Sequence, residues 1–255
     1  MRQLAEATVV RYQNSDRLPD LVDSPVFRYD DQPRRFLDAT MWVWTDRGRP
    51  VGFQKIEAMA RGRPQWATLF TSVAEDLLTV QWDDSREFRS SSPGVVFQPL
   101  SDAPKVPATS TMRKLEARKL VRDFSARILT DIGPNTTEEM RLLPAPIFEY
   151  ADPGTKDFQG AVFGLTTSGT NPDVLILLEP RTADGKLIWH YSVGRMTTCG
   201  VTLKYRETVV WEAEFCLPPA HEFPTWTVFY APREELDDEG LGVDSKPSAA
   251  PAKTN

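Results

Sequence analysis

The sequence contains only two cysteines and two histidines among its 255 residues. Cys199 and Cys216 form no CxxC motif and lie in no cluster with histidine, which argues against a structural zinc site. They are either two partly buried thiols or, in an oxidising compartment, a bridge between neighbouring strands. The sequence also has no Walker loop, GxGxxG, HExxH or GxSxG motif. We therefore predict no metal, no cofactor and no catalytic residue.

The chain lacks an excess of positive charge and a long apolar run. Its net charge is −6, so we expect no nucleic-acid partner. No stretch approaches the roughly 18–20 apolar residues of a membrane span. The first residues show neither an apolar leader nor a cleavage site, which predicts a cytoplasmic protein. Export stays open if a leader was removed or if the true start lies upstream.

Turn-forming and aromatic residues, in contrast, are abundant. The 21 prolines and 14 glycines favour short elements joined by turns. Seven tryptophans and thirteen phenylalanines provide the bulk for a core. These features are typical of a protein rich in short β-strands.

An internal repeat organises the sequence. The segment Pro25–Tyr29 resembles Pro146–Tyr150, and residues 36–57 lie over residues 158–179 at a constant offset of 122. After a slip of one residue, Leu78–Trp82 lies over Val201–Tyr205. Hydrophobic and turn positions agree although few residues are identical. A steady offset predicts two degenerate copies of one unit.

Alternating residues predict strands in both copies. Met41–Thr45 alternates and is followed by a turn at Gly48, so residues 41–56 are predicted to form a hairpin. Val174–Leu178 is apolar without alternation, which indicates a strand buried on both faces. We predict one clear helix over residues 111–129, with a basic outer face and a stop at Gly133-Pro134. A shorter helix is predicted within residues 4–12.

These elements predict an α+β protein with mostly antiparallel sheet, in two degenerate repeats each preceded by a helix. The predicted first unit spans residues 1–98 and the Pro-rich linker spans 99–110. The predicted second unit, beginning with the basic helix, spans 111–232. The acidic and Pro/Ala-rich residues 233–255 are predicted to be disordered. We expect the units to pack on each other through their apolar faces.

Four residues are candidates for binding a ligand or partner. Trp42 and Trp44 share one strand face, where two indoles either form a flat platform or fill the core. They lie over Gly164 and Thr166 of the second copy, whereas a core position more often keeps its bulk. In the second copy, His190 and Arg195 are the corresponding candidates.

We expect a non-catalytic binding or protein-interaction protein that uses a cleft between the two units. The partner would be a protein or a small apolar ligand. One alternative is a hydrolase-like enzyme acting through His190, which requires a carboxylate or hydroxyl group within about 3 Å of the ring. The other alternative is a carrier of a small apolar ligand, which requires a large cavity.

Three phrases carry a resemblance to a known family: Trp44–Pro50 (WTDRGRP), Met140–Phe148 (MRLLPAPIF) and Val174–Glu179 (VLILLE). Over roughly residues 25–215 the chain resembles an uncharacterised bacterial family that is common in planctomycetes. Its members share the W-T-D-x-G-R-P turn, a basic helix and an L-R-L-L-P-x-P phrase. The family has no known activity, so the resemblance implies no functional residues, and its members often look exported.

Overall fold

The computed structural model describes residues 1–59, 64–131, 136–216 and 223–233. In its first half the chain forms one short helix and eight strands: α1 (Arg2–Ala7), β1 (Val9–Tyr12), β2 (Asp20–Leu21), β3 (Phe27–Asp31), β4 (Phe36–Asp46), β5 (Arg49–Met59), β6 (Gln65–Ser72), β7 (Leu78–Asp83) and β8 (Arg86–Arg89). A two-residue strand, β9 (Gln98–Pro99), follows.

The second half repeats a helix followed by strands. Its elements are α2 (Ser110–Leu120), β10 (Phe124–Asp131), β11 (Thr136–Glu139), β12 (Arg141–Leu142), β13 (Phe148–Ala151), β14 (Phe158–Thr166), β15 (Val174–Ala183), β16 (Lys186–Arg195), β17 (Gly200–Tyr205) and β18 (Thr208–Ala213). The last described strand is β19 (Trp226–Pro232). We call α1–β8 the first half and α2–β18 the second half.

The strands form four sheets, and every strand pair in the described residues is antiparallel, which confirms the predicted mostly antiparallel fold. The first half contributes a small sheet, β1-β7-β8, and a large sheet, β2-β4-β5-β6-β19, with β3 also paired to β4. The second half contributes β11-β10-β17-β18 and the large sheet β12-β14-β15-β16-β9, with β13 also paired to β14.

The two halves exchange their last strands. β19, at the end of the described chain, pairs with β6 of the first half. β9, which follows the first half, pairs with β16 of the second half. The order of pairing is otherwise similar in the two halves, but the common origin of the halves stays a prediction.

Three cores hold the sheets together. An inner core lies between the two large sheets and includes Met41, Val43 and Leu175. One outer core joins the large and small sheets of the first half, and it contains Trp42 and Trp44. A second outer core does the same in the second half. Because successive side chains of a strand point to opposite faces, β4 serves the inner core and one outer core at once.

The hairpin predicted for residues 41–56 is confirmed as β4 and β5. Gly48 lies in its turn with φ = 82°, and a Cβ there would lie 2.9 Å from the Ala151 carbonyl oxygen. Val174–Leu178 is buried at every position, as predicted. Each buried face of β15 contacts a different core, which explains why this strand shows no alternation.

The predicted helix over residues 111–129 is wrong in its second half. α2 ends at Leu120, and Phe124–Asp131 forms strand β10. The apolar spacing at Leu120, Phe124 and Ile128 fits a helix, but Phe124, Ala126 and Ile128 also fill alternate positions of a strand, and all three are buried. The predicted stop at Gly133-Pro134 lies outside the described residues.

Two further boundaries differ from the prediction. The helix predicted within residues 4–12 ends at Ala7, and Val9–Tyr12 forms strand β1. Of the predicted tail, only Arg233 belongs to the described residues. Neither helix in the described part of the chain is long and apolar enough to cross a membrane.

Candidate functional site

Two buried tyrosine–glutamate pairs lie near the junction of the large sheets. The Tyr29 hydroxyl donates to Glu57 Oε1 at 2.7 Å, and the Tyr150 hydroxyl donates to Glu179 Oε1 at 2.6 Å. All four residues are buried. Burial raises the pKa of both tyrosines well above the ordinary value, so each hydroxyl stays protonated and able to donate.

The first pair is sealed inside the protein. Lys55, on the same strand as Glu57, is 1% exposed. Its ammonium donates to Asn171 Oδ1 at 2.6 Å and to the Met196 carbonyl oxygen at 3.3 Å. Burial lowers the pKa of Lys55 and raises the pKa of Glu57. These contacts join β5 of the first half to residues of the second half.

We expect substitution of Glu57 by glutamine to change how stability depends on pH. A raised folded-state pKa means that the Glu57 contribution is full below its unfolded pKa of about 4.3 and is lost as pH rises through the folded-state value. Glu57→Gln removes this contribution. The free energy of unfolding of the variant should therefore improve relative to wild type as pH rises from about 4 to 8. Urea denaturation across that range measures it, and parallel curves would contradict the assignment.

A buried ion pair lies close to the sealed pair. Arg34 donates to both carboxylate oxygens of Asp173, at 2.7 and 3.0 Å, and its Nε lies 3.4 Å from Asp31 Oδ2. Asp31 and Asp173 are 0% and 1% exposed. Ser168 donates to Asp31 at 2.9 Å. The pair therefore connects the two halves through two buried carboxylates and a partly buried guanidinium.

The second tyrosine–glutamate pair is open to solvent through its arginine partners. Glu179 Oε2 accepts from Arg49 of the first half and lies 3.4 Å from Arg181 Nε. The exposed Glu75 of the first half pairs with Arg181. The Arg181 guanidinium lies over the Phe97 ring, 4.2 Å from its centroid. Three charged groups from both halves, Arg49, Arg181 and Glu75, thus lie around one buried carboxylate.

Two cavities meet at this carboxylate. One has a volume of about 630 Å³ and lies mostly on β14, β15 and β16 of the second half. The other has a volume of about 360 Å³ and is lined mainly by residues of the first half. Both are lined by Arg49, Phe97 and Glu179. We call the two adjoining cavities the central groove.

His190, the residue on which the hydrolase alternative depends, lines the central groove. His190 is nearly buried, with 9% of its surface exposed. In the described part of the chain, the ring makes one hydrogen bond, between Nδ1 and the Ile188 carbonyl oxygen at 3.3 Å. The carboxylate or hydroxyl group that the hydrolase alternative requires is not bonded to this ring.

Trp42 and Trp44 lie in the outer core of the first half, and each is 2% exposed. The Trp44 ring packs against Phe70 with centroids 5.8 Å apart. Trp42 also reaches a separate cavity of about 530 Å³, where Arg2 lies over its ring. The two indoles are buried and therefore do not form an open platform. They also lie apart from the central groove.

Arg195 lies in a third place, a cavity of about 520 Å³ near the end of β16. Its Nε donates to the Thr197 carbonyl oxygen at 2.6 Å, and its Nη2 donates to the Glu214 carbonyl oxygen at 2.7 Å. Burial lowers the pKa of this guanidinium. Cys199 and Cys216 nearby are both free and half-buried. The structure thus places the four predicted site residues in three separate regions.

The residues at the centre of the groove were not predicted as a site. Tyr150 and Glu179 match Tyr29 and Glu57 across the sequence repeat, and Glu179 ends the apolar run Val174–Leu178. A glutamate at the same place in both copies was the available signal, since a buried carboxylate needs a specific partner. Arg49 and Arg181 gave no signal, because their roles depend on the packing of the two sheets.

No group of three or more histidine, cysteine, aspartate or glutamate residues in the described ranges is arranged to hold a metal ion. No family model, no curated protein and no solved structure matches the chain. The resemblance to a bacterial family therefore stays a prediction.

Proposed function

We propose that this is a non-catalytic binding protein that holds a small, charged ligand in the central groove between two related halves. One observation carries the proposal: the two cavities share Arg49, Phe97 and Glu179, which come from both halves and from the segment between them. Binding sites are often concave and lie where two units meet. The volumes of about 630 and 360 Å³ suit a small molecule.

The lining of the groove favours a charged ligand over the apolar ligand expected from the sequence. Charged side chains of both signs line it, whereas Phe97 is its most central aromatic ring. An apolar ligand would remove these charged groups from water without replacing their hydrogen bonds. A ligand with its own charged groups would satisfy them. The charged residues that line the groove are Arg17, Arg49, Arg113, Arg181, Asp46, Glu75, Asp76, Asp152, Asp157 and Glu179.

We infer that the two halves descend from one duplicated unit, and this origin bears on the function. The pairing order is similar in the halves, and the tyrosine–glutamate pairs occupy matching positions. Glu57 lines neither cavity of the groove, whereas Glu179 lines both and pairs with Arg49, which also lines both. Duplication frees one copy to keep a structural role while the other acquires a ligand site. The divergence of the two pairs supports a site at Glu179.

The geometry around His190 supports a binding role rather than catalysis. A general base must lie within hydrogen-bonding reach of the group it activates and is commonly oriented by a third residue. The only hydrogen bond of the His190 ring in the described ranges joins it to a backbone carbonyl group two residues away. His190 then serves as a polar wall of the groove.

Two matched substitutions test this function. Glu179→Gln and Glu57→Gln each replace a buried, tyrosine-bound glutamate with a side chain of the same shape, but only Glu179 lines the groove. The probes are a panel of amino acids, dicarboxylates, sugar phosphates and diamines. Binding of each compound to the protein is measured by saturation-transfer NMR. We expect at least one compound to bind wild type, about tenfold weaker binding to Glu179→Gln, and unchanged binding to Glu57→Gln.

A second matched pair of variants tests the proposal even if Glu179→Gln does not fold. Arg113 of α2 lines the groove, whereas Arg122 is exposed and lies just beyond the helix. Arg113→Gln should weaken binding and Arg122→Gln should not, provided that circular dichroism shows both to be folded. Equal binding by all four variants, or no binding of any compound to wild type at millimolar concentration, would overturn the proposal.

A further inference from the structure

The outer edge of β16 is only partly covered by its neighbour. β9 pairs with His190 and Tyr191 alone, whereas β19 pairs with β6 over seven residues. The chain before β9 leaves the edge, since Val95 is buried in the inner core. β16 therefore continues to Arg195 without a partner strand on this side in the described residues.

Backbone groups of Val193 point toward the open side. The Leu100 amide donates to the Trp189 carbonyl oxygen at 2.8 Å on the outer side of β16. On the opposite side the Met196 amide donates to the Asp173 carbonyl oxygen at 2.9 Å. Directions alternate along an antiparallel strand, so Val193 faces outward together with Trp189. In the described part of the chain, the Val193 amide and carbonyl groups have no hydrogen-bond partner.

The cavity of about 520 Å³ lies against this edge, and we call it the edge slot. One wall is β16 and the other is the edge strand β18, whose Val210 carbonyl oxygen accepts from Tyr191 at 3.4 Å. Its lining includes apolar and aromatic residues together with the charged Arg195 and Glu212 and the polar Gln98, Ser192 and Thr225. The apolar lining residues are Val96, Val193, Val210, Trp211, Phe223 and Trp226.

Arg195 brings an unneutralised positive charge to the slot. Its Nε and Nη2 donate to backbone carbonyl groups, including those of Thr197 and Glu214. The guanidinium also bonds the Cys216 side chain, and within the described residues it has no carboxylate partner. The guanidinium also lies over the Trp226 ring, 5.2 Å from the centroid. A cation without a carboxylate partner beside an apolar wall suits a carboxylate that arrives with apolar neighbours.

We propose that the edge slot binds a short extended peptide, with apolar residues and one carboxylate, as an added strand on β16. The peptide backbone pairs with the free amide and carbonyl groups of Val193, and this pairing supplies the main-chain part of recognition. Alternate side chains enter the space beside Trp211 and Trp226. The carboxylate pairs with the Arg195 guanidinium. This site is separate from the central groove, so its failure would leave the groove proposal standing.

The probe is the peptide acetyl-Thr-Val-Thr-Val-Asp-amide, titrated into the full-length ¹⁵N-labelled protein and followed by NMR. We expect saturable shifts of the Val193 amide. Two altered peptides leave the protein unchanged: one with N-methyl groups on both valines, and one with asparagine in place of aspartate. Each should bind about tenfold more weakly, because one loses backbone donors and the other loses its charge.

A matched pair of protein variants completes the test. Val193→Pro removes the outward amide inside the slot, whereas Leu187→Pro removes an outward amide on the same edge of β16 but outside the slot. The first should abolish binding and the second should leave it unchanged. If Val193→Pro does not fold, the altered peptides still decide. The proposal is overturned if the Val193 amide does not shift at millimolar peptide, or if both altered peptides bind as well as the original.

Discussion

Replacing Arg34 with methionine is expected to lower the free energy of unfolding by about 3–5 kcal/mol. Arg34 donates to both oxygens of Asp173 at 2.7 and 3.0 Å and also lies beside Asp31. Methionine removes the guanidinium that bonds Asp173 and leaves two buried carboxylates with Lys55 as the remaining nearby cation. Removing one partner of a buried pair is costly because the other charge stays out of water. Urea denaturation followed by tryptophan fluorescence measures the loss.

The matched control is Arg28→Met. Arg28 also donates to both oxygens of an aspartate, Asp38, at 2.9 and 2.6 Å. The side chains of Arg28 and Asp38 are 71% and 38% exposed, whereas those of Arg34 and Asp173 are 30% and 1% exposed. The geometry is similar in the two pairs and the burial differs, so Arg28→Met should cost far less. Equal losses would contradict the view that the Arg34 pair owes its effect to burial.

The sequence predicts the strands well where each face of a strand packs against a different layer. β4 alternates because Met41 and Val43 face the inner core while Trp42 and Trp44 face an outer core. Such a strand carries its own signal in a period of two residues. The hairpin turn carries a second local signal in Gly48.

Boundaries fail where one apolar pattern fits two structures. Leu120, Phe124 and Ile128 match a helical stripe, yet Phe124 and Ile128 belong to β10. Packing in the second outer core decides between helix and strand for these residues. Many residues of that core are distant in sequence. Local propensity cannot contain that information, since tertiary packing routinely overrides it. β9 is still harder to predict, because it has only two residues and one of them is a proline. A strand of two residues shows no alternating pattern.

The central groove shows which part of a site a sequence can indicate. Glu57 and Glu179 stand at matching places in the two copies, an observation that could have singled out two unusual carboxylates but was not used to predict a site. The partner of Glu179 from the first half, Arg49, is 130 residues away. Nothing local distinguishes Arg49 from any other arginine beside a turn. Only the packing of the two large sheets brings the arginine to the acid and opens a cavity beside them.

Replacing Trp44 with alanine is expected to lower the free energy of unfolding by about 3–5 kcal/mol. The ring is 2% exposed and packs against Phe70 in the outer core of the first half. Truncation removes a large apolar surface and leaves a cavity that neighbouring strands cannot close completely. Urea denaturation measures this loss. A ligand platform predicts the opposite, because an open indole contributes to binding and little to folding.

Trp211 provides the matched control for this argument. It lies on the edge strand β18, is half-buried and packs against the margin of the second outer core. Trp211→Ala should cost about 1–2 kcal/mol, since only part of its ring leaves apolar contact. A loss below about 1 kcal/mol for Trp44→Ala would contradict its place in the core. A larger loss for Trp44→Ala than for Trp211→Ala would show that Trp44 contributes to packing in the outer core of the first half.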